Sequence, residues 1–221
     1  MKKLRGLINN LVRVGITPSM AEEQQRPIIV ANGINTFFLF IIPIFGLIEI
    51  IAPNSDPNIR EFSLLLMVLI VFISFIHLFI SYLGLTHLSR ILFVIDFPLV
   101  VFLFPALSGH VGEQDLFWFP YVVAAFSVIP QLVLTLRYER LLYILGMVYM
   151  LVLVYFSLEI LLSSIPHQGS VVSSARKYRF YYLRSLLSVW VIINLPFTYI
   201  KWLLMKRELE LSRLRELTKQ K

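Results

Sequence analysis

Two sets of residues have the types and spacing to do chemistry inside otherwise apolar runs. His77 and Asp96 stand equally far on either side of a short turn near residues 86 and 87. In an antiparallel helical hairpin, equal distances mean equal depth, roughly 14 Å from the turn at about 1.5 Å rise per residue. An imidazole and a carboxylate at one depth can stitch two helices together, sense, or relay a proton. Glu159 and Arg184 fall at comparable depth across a longer loop, and Glu49 closes the same end of an earlier run. Two carboxylates and an arginine there would form a pocket for a small polar or cationic ligand, or else an ion pair reaching for water. Asn194, two residues before Pro196, is a hinge candidate, or a partner for the carbonyl that the proline frees.

Other chemistry finds no template. There is no nucleophile elbow, zinc-protease helix, phosphate loop or dinucleotide turn. Cysteine is absent, and His77, His87, His110 and His167 have no spacing that suggests a metal cage. No enzyme activity, cofactor or metal is therefore expected within these residues.

The elements that position these groups follow from composition. Of 221 residues, 58% are hydrophobic and 15% charged, with a mean hydropathy of +0.79; soluble domains average about 25% charged. Apolar segments cover about 28–52, 61–85, 89–108, 115–136, 140–165 and 181–204. Each suffices for a helix across a hydrocarbon core of about 30 Å, so the fold class is all-α and polytopic. Pro43, Pro98, Pro120, Pro130 and Pro196 interrupt the runs and predict kinks. Residues 1–27 read as an interfacial amphipathic helix, with Leu4, Leu7, Ile8 and Leu11 on one stripe, followed by a capped turn. Ser19 is the expected N-cap, with Glu22 closing a capping box. No signal peptide follows Lys2 and Lys3. Residues 28–204 form the transmembrane domain. Residues 205–221 continue the last helix outward, with Leu204, Leu211 and Leu214 on a seam shared with Arg207.

Charge counting orients the chain. With both ends inside, fifteen Lys and Arg fall on the inner side. Five fall outside: Arg60, Arg176, Lys177, Arg179 and Arg184. The positive-inside tendency therefore places both termini in the cytoplasm, at the inner (plasma) membrane. The net charge of +7 faces anionic lipid and not nucleic acid.

The stretch Gly15-Ile16-Thr17-Pro18-Ser19-Met20-Ala21-Glu22-Glu23, running on to Arg26, Asn32 and Asn35, carries a G-x-T-P-x-x-x-x-E turn before the first span. In this it resembles the six-span N-terminal membrane sensor module of bacterial sensor histidine kinases and class III adenylate and guanylate cyclases. The resemblance implies a signal-transduction module, dimeric, that passes an external or in-membrane stimulus through its last helix to a cytoplasmic effector in cis or trans. Arg207, Leu211 and Leu214 would lie on the output. No kinase or cyclase core lies within the chain, so the family's catalytic residues have no positions here. The alternatives are a small transporter or channel, or a structural anchor. A transporter predicts polar residues along one continuous path, whereas these residues form two separate patches.

Overall fold

The structure, a computed structural model, describes residues 2–51, 57–113, 115–165 and 170–219. Among the described residues it is helical with no strand, and six helices are long and apolar enough to cross a membrane. The protein is an all-α polytopic membrane protein. An even number of crossings brings both chain ends to one side of the bundle, the terminal side.

The amphipathic helix α1 (Lys2–Val12) leads through a turn into α2 (Glu22–Ile51), the first span. The expected N-cap at Ser19 is not made. Met20 N–H closes a turn on the Thr17 carbonyl (3.1 Å), leaving Ser19 in mid-turn with its Oγ 3.1 Å from Thr17 Oγ1. The helix begins only at Glu22. The sequence Thr17-Pro18-Ser19 favours a turn for the same reason it favours a cap: short hydroxyl side chains and a fixed proline φ serve both. The second span is α3 (Pro57–Tyr82). It ends where Gly84 N–H bonds Ser81 O (3.0 Å) and Leu85 N–H bonds Ile80 O (3.2 Å), with Gly84 at φ +82°. This Schellman arrangement needs a left-handed residue.

Proline shapes the third and fourth spans. The third runs through α4 (Thr86–Pro98), a π-helical stretch (Leu99–Leu103) and α5 (Phe104–Leu107). The π turn lies between Pro98 and Pro105, each of which removes one backbone donor. The fourth divides into α6 (Asp115–Phe126) and α7 (Val128–Val133). Pro130 has no N–H for the Phe126 carbonyl, and the chain breaks at Ser127, whose N–H bonds Ala124 O instead (3.2 Å). The fifth span is α8 (Arg140–Ser164). After the short α9 (Ser170–Lys177), α10 (Arg179–Lys219) runs as one 41-residue helix through the sixth span and out on the terminal side.

The core gathers around α6 and α8, where Phe93, Phe102, Leu116, Val123, Met150, Val154, Leu158, Leu161 and Leu186 are buried. Half of the fourth span's apolar window is buried, against 11% for the first and sixth. The fourth span is therefore central, and the outer two turn most of their surface toward lipid.

Candidate functional site

The hairpin of α3 and α4 brings together His77 and Asp96. His77 Nε2 lies 3.3 Å from Asp96 Oδ2, just beyond the 3.2 Å typical of a strong bond. His77 is fully buried, and the Asp96 side chain is 32% exposed. The ring stands edge-on to Phe93 (83° between planes), and Ser89 Oγ donates to the His77 carbonyl (2.8 Å). Tyr149 on α8 donates to the carbonyl of Ile95, next to Asp96 (3.2 Å).

The outer group is arranged differently from the sequence expectation. Glu159 pairs with Arg179 at 2.8 Å, not with Arg184. The physical reason is helical rotation. Residue 184 follows 179 by five positions, about 140° around the helix at 100° per residue. Arg184 is thus exposed beside Phe180, Leu187 and Val191, away from α8. Glu49, partly exposed, meets neither partner among the described residues. What stands at this end is a shallow polar recess lined by Glu159, Ser163, Arg176 and Arg179. Two arginines and one carboxylate replace the expected two carboxylates and one arginine.

The most densely bonded polar cluster surrounds residues 133–139, the segment joining α7 to α8 on the terminal side. Arg90 of α4 bonds Glu139 through Nη1 (2.8 Å) and Nη2 (2.6 Å), and its Nη1 also donates to the Val133 carbonyl (2.9 Å). The two side chains are 4% and 3% exposed. Glu139 Oε2 accepts the Thr135 N–H (2.9 Å) and hydroxyl (3.1 Å), while Oε1 lies 2.5 Å from His87 Nδ1. Burial pushes the Glu139 carboxyl up. The Thr135 N–H, the Arg90 guanidinium and His87 outweigh it, and the carboxyl titrates below its ordinary value. Arg137 (2.9 Å) and Tyr138 (3.0 Å) both donate to Glu23 at the start of α2. Lys201 Nζ of α10 donates to the Leu134 carbonyl and stands 5.0 Å above the Tyr143 ring. This seven-residue segment thus touches the first, third and sixth spans.

A buried network continues from this segment into the membrane. Gln131 Oε1 accepts the Tyr143 hydroxyl (2.5 Å), and its Nε2 donates to Thr198 Oγ1 (2.9 Å) and, at 3.4 Å, to Asn194 Oδ1. Asn194 Nδ2 donates to Ser127 Oγ (2.5 Å) and Trp190 O (3.0 Å). Asn194 therefore locks α10 to α6 and α7; the carbonyl that Pro196 frees is that of Ile192, which it does not bond. Replacing Gln131 by Leu should leave Asn194 Oδ1 without its donor and reduce Tyr143 and Thr198 to the one bond between their hydroxyls (3.1 Å) in an apolar core. At about 0.6 kcal/mol per interhelical bond, more for a full orphan, the loss should reach about 2 kcal/mol. Thermal unfolding of Gln131→Leu in nanodiscs measures it, and wild-type stability would mean the network carries no load.

On the outgoing part of α10, Arg207 and Leu211 are exposed; the side chain of Leu214 lies outside the described residues. Arg90, Gln131, Glu139, Tyr143, Thr198 and Lys201 were not singled out from sequence. The available signals were Gln131 beside Pro130 in an apolar run, and Lys201 before the last aromatic belt.

The fold and these clusters define a six-span membrane protein whose last helix is tied to an internal polar segment. Comparison with known protein families, characterised proteins and solved structures finds no match.

Proposed function

We propose that the protein is a membrane signal-transduction module that passes an external or in-membrane stimulus to a cytoplasmic effector through α10. The observation that carries this reading is the unbroken course of α10 (Arg179–Lys219), out of the bundle into a charged helix. Its exit turn is tied to the 133–139 segment by Lys201. Beyond Pro196, which frees one carbonyl inside the span, α10 has no further proline or glycine, so its backbone bonds carry a rotation or shift of the membrane part outward without another joint in which to lose it. The tie at Lys201 supplies a contact whose making or breaking would bias the helix. The fifteen-to-five charge count puts the outgoing end in the cytoplasm, and the exposed Arg207–Leu211 face meets a second copy or an effector. An isolated polar helix of this length is marginal in water, and pairing supplies the missing burial.

The test is a chimera with a dimer-dependent class III cyclase domain joined after Lys221, expressed in bacteria. Cyclase activity is expected, because the joint is cytoplasmic and paired. Inserting one, two, three or four residues after Lys206 should change activity with the period of a helix. A well-expressed chimera that is silent, or whose activity ignores insertion length, rejects the reading.

A further inference from the structure

On its way out of the bundle α10 passes a cavity of about 180 Å³, walled by the start of α2, the 132–138 stretch and α10 itself. Five charged side chains line it: Glu23, Arg26, Arg137, Lys201 and Glu208. Both arginines are already answered. Arg26 bonds Glu22 (3.0 Å), and Arg137 bonds Glu23 (2.9 Å). Lys201 and Glu208 are not: among the described residues neither has an opposite charge within 4.0 Å. An ammonium carries three N–H donors. Lys201 gives one to the Leu134 carbonyl and stands over the Tyr143 ring, which leaves at least one for a ligand. Seven residues apart, Lys201 and Glu208 share one face of α10 but stand about 10 Å apart along its axis, too far to pair directly.

The cavity also has an apolar mouth. Leu132 and Leu204 line it, are 40% and 48% exposed, and belong to the fourth and sixth spans. Exposed leucines on a span face acyl chains, so the cavity opens sideways into the bilayer. Its two unanswered charges then have a fixed order: the ammonium of Lys201 lies nearer the hydrocarbon and the carboxylate of Glu208 nearer water. A phospholipid whose headgroup ends in a primary amine has the complementary order, with its phosphate next to the chains and its own ammonium further out. With a hydrogen bond at each end, such a headgroup can bridge the two side chains.

We propose that this cavity binds the headgroup of an amine-bearing phospholipid of the phosphatidylethanolamine class, with its phosphate on Lys201, its ammonium on Glu208 and its chains along Leu132 and Leu204. Basic recesses between spans at the cytoplasmic surface hold phospholipid headgroups; here Glu208 selects the class. Phosphatidylglycerol brings no cation to that carboxylate, and the quaternary amine of phosphatidylcholine has no N–H to donate to it. The site needs only the bundle and does not depend on α10 being an output helix.

The test is native mass spectrometry of the full chain, released from micelles holding equal amounts of phosphatidylethanolamine, phosphatidylcholine and phosphatidylglycerol. Phosphatidylethanolamine should be retained about fivefold over each competitor, the worth of one good ion pair at an interface. Glu208→Lys should turn the preference to phosphatidylglycerol, and Lys201→Gln should lower retention of phosphatidylethanolamine several-fold. Glu210→Lys makes the same charge change at an exposed position outside the cavity and should leave the preference as in wild type. Equal retention of the three lipids by the unsubstituted chain overturns the proposal without any variant having to fold. A Glu210→Lys effect matching that of Glu208→Lys also overturns it, by reducing the preference to general surface charge. Soluble phosphoethanolamine at equal concentration should not displace the lipid; if it does, the occupant is a soluble headgroup and the lipid assignment falls.

Discussion

Glu139→Gln is expected to destabilise the protein by about 3–5 kcal/mol, the range for removing one partner of a buried ion pair. The amide keeps the size of the side chain but leaves the Arg90 guanidinium, 4% exposed, without an anion. Arg90→Met should cost a similar amount by stranding the carboxylate. The double variant Arg90→Met with Glu139→Leu should be more stable than either single one, because no uncompensated charge remains. It should still fall short of wild type, since the Val133 carbonyl and the Thr135 N–H lose their side-chain partners. Acid should act in the same direction. The folded carboxyl titrates below the ordinary 4.5, so its contribution is complete above that value and is lost as pH falls through the folded value. Wild type should therefore lose stability on acidification more steeply than Glu139→Gln. Melting curves in nanodiscs between neutral and acid pH decide this, and a single variant within about 0.5 kcal/mol of wild type would show the pair to be ornamental.

That this pair escaped the sequence reading has a physical cause. Arg90, Arg137, Glu139 and Arg140 all fall at the ends of apolar runs, where a charge is equally at home in water or folded under a neighbouring helix. Only the tertiary approach of the 133–139 segment to α4 separates Glu139 and Arg90, both buried, from Arg140, which is exposed. The six spans were legible because run length against bilayer thickness depends on no tertiary detail. The His77–Asp96 contact was legible because the turn at Gly84 is short, which transfers depth from one helix to the next nearly without slack. Across residues 165–178 the same depth argument failed. A short helix intervenes there, and rotation about α10, which no depth count contains, selected Arg179 over Arg184 for Glu159. Asn194 was noticed for its proline neighbour, yet its bonds run sideways to Ser127 and Gln131. Partners drawn from the broken fourth span cannot be read from local spacing.

The second large effect is expected at Gly15, the joint between α1 and the bundle. Its φ is +78°, and a β-carbon there would stand 2.4 Å from the Ser81 carbonyl oxygen and 2.6 Å from Thr86 Cγ2. The left-handed backbone alone costs an L-residue about 1–2 kcal/mol. The clash adds to this, because the nearer obstacle is main chain at the end of α3 and cannot rotate away. Gly15→Ala should therefore cost about 3 kcal/mol or more locally. The bonds beside it give the form of the damage. Asn32 Nδ2 holds the carbonyls of Val12 (3.3 Å) and Val14 (2.9 Å), and these must lengthen if residue 15 backs away from the hairpin. Asn32, buried on α2, would then lose its donor bonds, so α1 should detach while the spans persist. Hydrogen exchange should read this as faster exchange over residues 5–16 against little change in α6 and α8. Gly6→Ala is the control: it lies within α1 with nothing near its added carbon, and alanine in a helix interior gains about 0.5–1 kcal/mol over glycine. Matching exchange in the two variants would mean that Gly15 does not wedge α1 against the hairpin, and that the approach to the first span is held by Asn32 alone.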